Sequence, residues 1–426
     1  MPRFIPRYTP EELRRIQEDG LRWTVLHAYA GSPQYRAKLR AAGVDPTAVQ
    51  SLDDLKHLPT TTTDDLREGY PLPLLAVPEA KVVRVHASSG TTGKRKVLAY
   101  TQKDVDTFAL QMARCFELAG LTPQDRVQIA VGYGLWTAGA GFQLGCEQFG
   151  ALTVPVGAGN LEIHLQMLTD LGTTCLCSTA SMALLMGEEV LRHGLSEKVR
   201  LNKVIFGAEG HNDKMRRAFE EALGVKESFD IGGMTEMYGP GTALECCAHE
   251  GLHYWADLFI IEVLDPETLQ PVAPGEVGEM VVTSLCKEAS PLIRYRTRDL
   301  TRMLPAPCAC GCAMPRHDHL LGRSDDMIIF RGVNVYPGQI ASVLQEFPEL
   351  GSEYHIILSR DEGRDCMAIQ VERAKDGAAG IDASLSMGLA KRLHSNVLIS
   401  AAVEIVEHGT LPRSFGKSRR VTDART

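Results

Sequence analysis

Residues 88–96, Ser-Ser-Gly-Thr-Thr-Gly-Lys-Arg-Lys, combine the residue types that bind polyphosphate. Glycines let the backbone approach an anion, hydroxyls and amides donate hydrogen bonds to its oxygens, and the three cations neutralise its charge. The segment is not a Walker A sequence, because only two residues separate Gly90 from Gly93 and neither Ser nor Thr follows Lys94. Taken alone, it fits either a phosphate-binding loop or a solvated turn.

Two acidic segments offer further groups for a nucleotide. Residues 230–236, Asp-Ile-Gly-Gly-Met-Thr-Glu, place a carboxylate beside a hydroxyl at the end of a strand-like run, which suits Mg²⁺ and a phosphate oxygen. In residues 295–299, Tyr-Arg-Thr-Arg-Asp, the acid could accept hydrogen bonds from ribose hydroxyls while a neighbouring arginine faces phosphate. Either segment alone could instead be a salt-bridged loop.

Two more polar segments lie nearer the C-terminus. Residues 322–326, Gly-Arg-Ser-Asp-Asp, run into residues 332–337, Gly-Val-Asn-Val-Tyr-Pro. Residues 411–420, Leu-Pro-Arg-Ser-Phe-Gly-Lys-Ser-Arg-Arg, contain a lysine that follows a glycine. A lysine in such a position is, by itself, most typical of a solvated tail.

The elements that must position these segments alternate between residues 82 and 232. Strand-like runs at 127–131, 152–156, 174–177 and 203–206 are interspersed with helical candidates such as 104–119 and 213–222. This alternation predicts an α/β fold with a largely parallel sheet and with ligand groups at the carboxyl ends of its strands. An N-terminal helix is predicted after Thr9, where Pro10 and Glu12 complete a capping box.

The pattern changes near residue 252. Two runs, 258–264 and 278–283, indicate antiparallel strands around a turn-rich stretch, and a compact α+β pattern follows residue 326. We therefore predict a large domain over residues 1–324, which holds the nucleotide segments, and a small α+β domain over residues 325–426.

Composition limits the function classes. The 426 residues are 44% hydrophobic and 23% charged, as in soluble globular proteins, and the net charge of −8 argues against general nucleic-acid binding. The longest uncharged run, 127–146, is rich in glycine and therefore a poor membrane span. Since no secretory signal opens the chain, its 11 cysteines favour a reducing cytoplasm over disulfides.

Taken together and in this order, the five segments resemble those of the acyl-adenylating superfamily, and within it most closely those of the phenylacetate-CoA ligases. The similarity extends to residues 32–36, 51–55 and 58–61 near the N-terminus and to residues 133–139, which resemble the family's aryl-pocket region. It covers essentially the whole chain, and five motifs in this order are not expected by chance.

The resemblance implies a two-step reaction on a small-molecule carboxylate. The carboxylate attacks the α-phosphorus of ATP, giving an acyl-adenylate and pyrophosphate, and the thiol of coenzyme A then displaces AMP. The resemblance implies that the β- and γ-phosphates are bound by Ser89, Gly90, Thr91, Thr92 and Gly93, with Lys94 in the same loop. It further implies α-phosphate contact by Thr235, Mg²⁺ binding by Glu236, an adenine site beside Ala208, Glu209 and Gly232, and ribose contacts from Asp299 and Arg323.

The resemblance also implies a moving C-terminal domain. Lys417 would stabilise the charge that develops between the carboxylate oxygen and the α-phosphate, and Asp325 resembles the hinge about which the small domain turns between the half-reactions. One residue departs from the family pattern. Gly232 stands where the family usually has an aromatic ring on the adenine, so we expect either weaker nucleotide stacking or space for a bulkier acyl group.

A structural zinc site is predicted in the same chain. Three thiols and an imidazole suit tetrahedral Zn²⁺, and we favour Cys246, His253, Cys308 and Cys310, since some members of the family have a similar Pro-Cys-x-Cys-Gly sequence. Cys247, His249 and Cys312 are competing ligands, and free thiols are the alternative to a metal site. Cys175 and Cys177, which alternate within an apolar strand, are predicted to be buried side chains.

The acyl substrate is predicted to be an aryl or arylalkyl carboxylate, by resemblance around Tyr133, Trp136, Ala138, Gly139 and Phe142. Tight helix–sheet packing is the alternative role for each of these residues. Two alternative functions stay open: transfer of AMP or the acyl group to another acceptor, such as a deazaflavin or a carrier protein, and a zinc-stabilised nucleotide-binding protein without turnover. A homodimer through the N-terminal region is a further expectation from the family.

Overall fold

The large sheet is built as the alternation of the sequence predicts. A computed structural model of the chain describes residues 4–88, 95–211, 213–326, 328–331, 333–361, 364–374, 382–411 and 420–425. The strands in these residues are β1 (Arg84–Ala87), β2 (Val97–Tyr100), β3 (Arg126–Ile129), β4 (Leu152–Val154), β5 (Cys175–Thr179), β6 (Lys203–Gly207), β7 (Glu227–Met234), β8 (Gly239–Glu245), β9 (Leu252–Tyr254), β10 (Phe259–Leu264), β11 (Gly278–Ser284), β12 (Tyr295–Thr301), β13 (Met303–Leu304), β14 (Arg316–His317), β15 (Gly322–Arg323), β16 (Ile328–Phe330), β17 (Val333–Val335), β18 (Leu350–Asp361), β19 (Arg364–Arg373), β20 (Ala402–Val406) and β21 (Val421–Asp423).

Helices connect these strands. The α-helices in the described residues are α1 (Pro10–Gly31), α2 (Pro33–Ala41), α3 (Thr63–Glu68), α4 (Gln102–Leu118), α5 (Ala138–Phe149), α6 (Leu161–Asp170), α7 (Ala180–Arg192), α8 (Asp213–Leu223), α9 (Pro337–Gln345) and α10 (Asp382–Val397). Short 3-10 helices lie at Pro46–Ala48, Leu52–His57, Glu79–Lys81, Thr235–Met237 and Ser324–Asp326. The capping box expected at the start of α1 is present, because the Thr9 and Glu12 side chains each accept a hydrogen bond from the other residue's backbone amide.

The nine-stranded sheet has the order β13-β14-β9-β8-β7-β6-β5-β3-β4. Its strands β4, β3, β5, β6 and β7 are parallel, and helices α5 to α8 form the crossovers between them. From β7 onward the strands β8, β9, β14 and β13 pair antiparallel. The sheet therefore changes character at the β7–β8 junction, where the Thr235–Glu236 segment lies.

A second sheet carries the ribose-site candidate. Strands β10, β11 and β12 pair antiparallel, as predicted for the region after residue 252. A continuous apolar core, which includes the fully buried Trp255, Tyr238 and Phe259, fills the region around these sheets. Cys175 and Cys177 on β5 are fully buried, as their alternation in an apolar strand predicts.

The chain divides into two compact units. The first extends to Ala208 and includes Ala218–His319, and the second comprises Glu209–Arg217 together with the residues from Leu320 onward. Within the second unit, the sheet β20-β19-β18-β21 carries an apolar core of its own with α9 and α10. Among the described residues, no helix has the length and apolar character needed to cross a membrane.

Candidate active site and metal centre

The β7–β8 junction fixes the backbone around Thr235 and Glu236. The 3-10 helix Thr235–Met237 follows β7 directly, and both Thr235 and Glu236 are buried. A glycine is required at position 233 because the backbones of β7 and β8 approach closely there. A Cβ atom at Gly233 would lie 2.1 Å from the carbonyl oxygen of Gly239. The Thr235 carbonyl accepts a hydrogen bond of 3.0 Å from the Tyr100 hydroxyl. The segment is thus held rigidly at the carboxyl end of the last parallel strand.

The Glu236 carboxylate is held by two donors. Lys96 forms an ion pair with Oε1, and the Tyr295 hydroxyl donates to the same oxygen at 2.9 Å. Burial alone would raise the pKa of Glu236, but the Lys96 charge and the hydrogen bonds outweigh it and lower the pKa. Glu236 is therefore an ionised, oriented carboxylate, as a ligand for a hard cation must be.

The adenine-site candidates lie at neighbouring strand ends. Ala208 directly follows β6 and adopts a positive φ of 69°, and the pairing of Gly207 with Ile231 brings it next to Gly232 on β7. A Cβ atom at Gly232 would lie 3.2 Å from Cδ2 of Leu252, a side-chain end that can rotate. Glu209 belongs to the second compact unit.

The ribose candidate Asp299 lies half-buried on β12. The two arginines beside it both pair with Glu279 on β11: Arg296 forms a bidentate pair at 2.7 and 3.0 Å, and Arg298 lies 3.6 Å from the same carboxylate. These arginines therefore neutralise a buried acid, and the expectation that one of them faces phosphate is without support from these contacts. In the second unit, Arg323 forms a bidentate ion pair with the hinge candidate Asp325.

Some predicted residues lie outside the described residues. These are the phosphate-loop residues Ser89, Gly90, Thr91, Thr92, Gly93 and Lys94, and the adenylation lysine Lys417.

The acyl-pocket candidates divide into two groups. The Tyr133 ring is partly exposed and lies against two glycines, because a Cβ atom would come within 2.7 Å of it at Gly139 and within 3.5 Å at Gly157. Trp136 is also partly exposed, and its ring lies beside Gly132. By contrast, Ala138 and Phe142 are core residues, and the Phe142 ring packs 6.4 Å from that of Phe116. Tight helix–sheet packing, the alternative role for these candidates, fits Ala138 and Phe142.

The four favoured metal ligands meet in one cluster. The ligand atoms of Cys246, His253, Cys308 and Cys310 all lie within 4.8 Å of one another. The Sγ atoms of Cys246 and Cys308 are 3.6 Å apart, far beyond a disulfide bond but close to the ~3.8 Å edge of a tetrahedron with Zn–S bonds of about 2.3 Å. Nδ1 of His253 lies 2.7 Å from the Met314 carbonyl, so in the donor tautomer Nε2 is left as the ligand atom, 3.2 Å from Sγ of Cys310.

The competing ligands lie outside this cluster. Cys247 is exposed, and His249 contacts the Glu245 carboxylate at 3.1 Å. Cys312 contributes its backbone amide, which donates to Sγ of Cys310 at 3.3 Å as a supporting hydrogen bond. The donor set thus fits structural zinc with the four residues that were favoured.

A charged cluster that the sequence did not predict lies beside the metal site. His319 lies 3.5 Å from Glu245, 3.6 Å from Asp318 and 3.8 Å from Asp230. The Asp318 and Glu245 carboxylates raise the pKa of His319 to about 10 against the effect of burial. Protonated His319 thereby links Asp230 on β7 to Glu245 at the end of β8.

Sequence reasoning also missed the partners of Glu236. Lys96 and Tyr295 belong to polar segments already noted in the sequence, but neither spacing nor residue type connects them to residue 236. Only the packing of three different sheets, those that contain β2, β7 and β12, brings these side chains together.

Known proteins are similar to this chain over nearly its whole length. Residues 4–286 match the family model described as AMP-binding enzyme, and residues 332–425 match the AMP-binding enzyme C-terminal domain. The chain is 42% identical over 422 residues to the phenylacetate-coenzyme A ligase of Escherichia coli (strain K12), which covers 97% of this chain and 95% of that protein. It is 40% identical to the phenylacetate-coenzyme A ligase of Thermus thermophilus over 99% of this chain and 98% of that protein. A crystal structure of 2-hydroxyisobutyryl-CoA ligase in the postadenylation state, in complex with 2-HIB-AMP, superposes with a TM-score of 0.88 at 28% identity and covers 100% of this chain and 92% of that one.

Proposed function

This chain belongs to the AMP-binding enzymes, in the group that contains the phenylacetate-coenzyme A ligases, and we propose that it is an ATP-dependent ligase that joins an aryl or arylalkyl carboxylate to coenzyme A. The observation that carries the proposal is the buried Thr235–Glu236 segment, whose ionised carboxylate ends the parallel part of the sheet. Such a group serves a metal-bound polyphosphate, which the first half-reaction requires.

In the first half-reaction the substrate carboxylate attacks the α-phosphorus of ATP, and the bond to pyrophosphate breaks. Because an anion approaches an anion, the protein's contribution is charge neutralisation and positioning. Thr235 contacts the α-phosphate, and Asp299 accepts hydrogen bonds from the ribose hydroxyls. In the second half-reaction the thiol of coenzyme A attacks the acyl carbon, and AMP leaves with the electron pair of the broken bond.

Mg²⁺ that accompanies ATP would be held by Glu236, where it would neutralise phosphate charge. Lys96 forms an ion pair with Oε1 of this carboxylate, so its ammonium group and Mg²⁺ would compete for the carboxylate. We infer that Lys96 turns from Glu236 to the phosphates when the nucleotide binds, which keeps the charge of the site balanced.

The preference for an aryl group rests on Tyr133 and Trp136. The Tyr133 ring lies against Gly139, where a Cβ atom would collide with it, and near Gly157, where a Cβ atom would be in van der Waals contact with it. Small residues around a ring leave a flat apolar slot that suits a second ring. Ala138 and Phe142 support this wall from the core.

The C-terminal residues act in adenylation through a domain that begins at Asp325. Lys417 stabilises the developing charge at the α-phosphate, Arg323 lies near the ribose, and Asp325 is the hinge. The break between compact units at His319 and Leu320 and the C-terminal family match from residue 332 support this division. Glu209 completes the adenine site, and a cytoplasmic homodimer remains the expected form.

Zinc would be held by Cys246, His253, Cys308 and Cys310 as a structural ion. These residues come from the end of β8, from β9 and from the loop between β13 and β14. The ion would therefore fasten that loop to the antiparallel part of the large sheet.

The test is pyrophosphate exchange followed by thioester analysis. Purified protein with ATP, Mg²⁺ and phenylacetate should exchange labelled pyrophosphate into ATP without coenzyme A, and adding coenzyme A should give AMP and phenylacetyl-CoA. ATP binding without exchange would instead support a nucleotide-binding protein, and exchange without thioester would support another acceptor. Glu236→Gln, which keeps the shape of the side chain but not its charge, should lose exchange.

A further inference from the structure

A buried lysine stands behind the Thr235–Glu236 segment and has no part in the reaction described so far. Lys287 follows β11 by three residues and is 0% exposed. Its Nζ donates a hydrogen bond of 2.6 Å to the backbone carbonyl of Glu236. Among the described residues, no carboxylate lies within ion-pair distance of this ammonium group.

Two tyrosines complete the surroundings of the ammonium group. Nζ lies 5.1 Å from the ring centroid of Tyr100 and 5.0 Å from that of Tyr238. The Tyr100 hydroxyl donates to the Thr235 carbonyl, so the two consecutive carbonyls of the segment are bound by neighbouring buried donors. The orientation of both peptide planes is therefore fixed from behind.

The lysine is itself held in place from α4. Asp104 accepts hydrogen bonds from the backbone amides of Glu288 at 2.8 Å and Ala289 at 2.9 Å, and from the Tyr238 hydroxyl at 3.2 Å. The chain that carries Lys287 is thus anchored immediately after it. The position of α4 therefore helps to determine the position of Lys287 and, through it, of the Glu236 backbone.

Stability alone is a poor explanation for this lysine. Removing a charge from water is costly, and a methionine would fill the same space without that cost. Two lysines with different exposure bind Glu236. Lys96 is partly exposed and binds the side-chain carboxylate, whereas Lys287 is fully buried and binds the backbone carbonyl. The exposed lysine can exchange partners during the reaction, and the buried one cannot.

We propose that Lys287 is a positioning residue for adenylation: by binding the Glu236 carbonyl it fixes the direction in which the Glu236 carboxylate and the Thr235 hydroxyl meet the metal-bound nucleotide. The inference rests on the proposed function, since it concerns the same half-reaction. It assigns to Lys287 no contact with the substrates.

The experiment compares Lys287→Met and Lys287→Arg with Lys103→Met, a control at an exposed lysine near the same loop. Pyrophosphate exchange without coenzyme A measures adenylation, and thioester formation from synthetic acyl-adenylate measures the second step. Lys287→Met should lower kcat for exchange about 100-fold, while the second step and the thermal midpoint stay near wild-type values. Lys287→Arg should regain part of the exchange rate, and Lys103→Met should match the wild type.

The inference is overturned if Lys287→Met exchanges at the wild-type rate, or if it loses both half-reactions equally together with its thermal stability. Absence of exchange in the wild type itself would overturn the proposed function, which is a separate result.

Discussion

Replacing Gly233 by alanine should separate the requirement for a fixed active-site backbone from a general need for stability. The added Cβ would lie 2.1 Å from the Gly239 carbonyl oxygen and 2.7 Å from Cα of Pro240, and both are backbone atoms that cannot rotate away. Carbon–oxygen contacts need about 3.3 Å, so β7 and β8 must move apart by about 1.2 Å at this point. We expect the free energy of unfolding to fall by about 1–3 kcal/mol.

The same shift should affect catalysis more strongly than stability. A displacement of about 1 Å at a positioned group costs about 100-fold in rate, so Gly233→Ala should lower kcat for pyrophosphate exchange to that extent. The assay is exchange with saturating ATP and phenylacetate, at a temperature where denaturant unfolding curves show the variant to be folded.

Gly187→Ala is the matched control. Its Cβ would lie 2.7 Å from the Cβ of Ala222, so it overpacks α7 against α8 at a comparable distance but away from the Thr235–Glu236 segment. This variant should be destabilised and yet exchange at the wild-type rate once folded. A folded Gly233→Ala protein with wild-type exchange would refute the view that this backbone must be fixed for adenylation.

Four further results are expected. Cys308→Ser should lose bound zinc and lower the thermal midpoint, whereas Cys312→Ser should keep the ion; equal zinc content in the two variants would contradict the ligand assignment. Gly232→Tyr should lower the KM for ATP about tenfold by stacking on the adenine, provided that Leu252 rotates, and an unchanged KM would argue against this adenine site. Lys417→Ala should lose adenylation by a factor on the order of 10²–10³ or more but keep thioester formation from synthetic acyl-adenylate, and normal pyrophosphate exchange would remove Lys417 from its role. Because the pKa of His319 is raised from 6.5 to about 10, its stabilising effect is complete below pH 6.5 and is lost as pH rises through 10. After allowance for the partial exposure of His319, the free energy of unfolding of the wild type should fall by about 1 kcal/mol more than that of His319→Gln between pH 6.5 and 10. An equal fall in the two proteins would contradict this expectation.

Local sequence signals predicted the elements well. Thr9 and Glu12 identified the start of α1, and apolar runs followed by glycine or serine predicted the parallel strands to within a few residues. These features depend on neighbours in the chain, so composition and spacing are enough to find them. The clustering of Cys246, His253, Cys308 and Cys310 was also predicted, because three thiols and an imidazole form a donor set that suits zinc; that they bind the ion stays a prediction.

Contacts between distant segments could not be predicted in the same way. The contacts of Lys96 and Tyr295 with Glu236 depend on the relative placement of three sheets, and the position of Lys287 depends on hydrogen bonds to Asp104 on α4. Residue type also gave no indication that Arg296 and Arg298 pair with the buried Glu279. For Phe142, an aromatic side chain near the pocket signature proved to be part of the core.

Product analysis with a panel of carboxylates tests the central claim most directly. The protein would be incubated with ATP, Mg²⁺ and coenzyme A, and AMP and acyl-CoA would be quantified for phenylacetate, a substituted phenylacetate, benzoate and aliphatic acids of similar length. We predict AMP and thioester in equal amounts, with the highest kcat/KM for an arylacetate. A preference for aliphatic acids would contradict the assigned pocket, and AMP release without thioester would contradict the ligase.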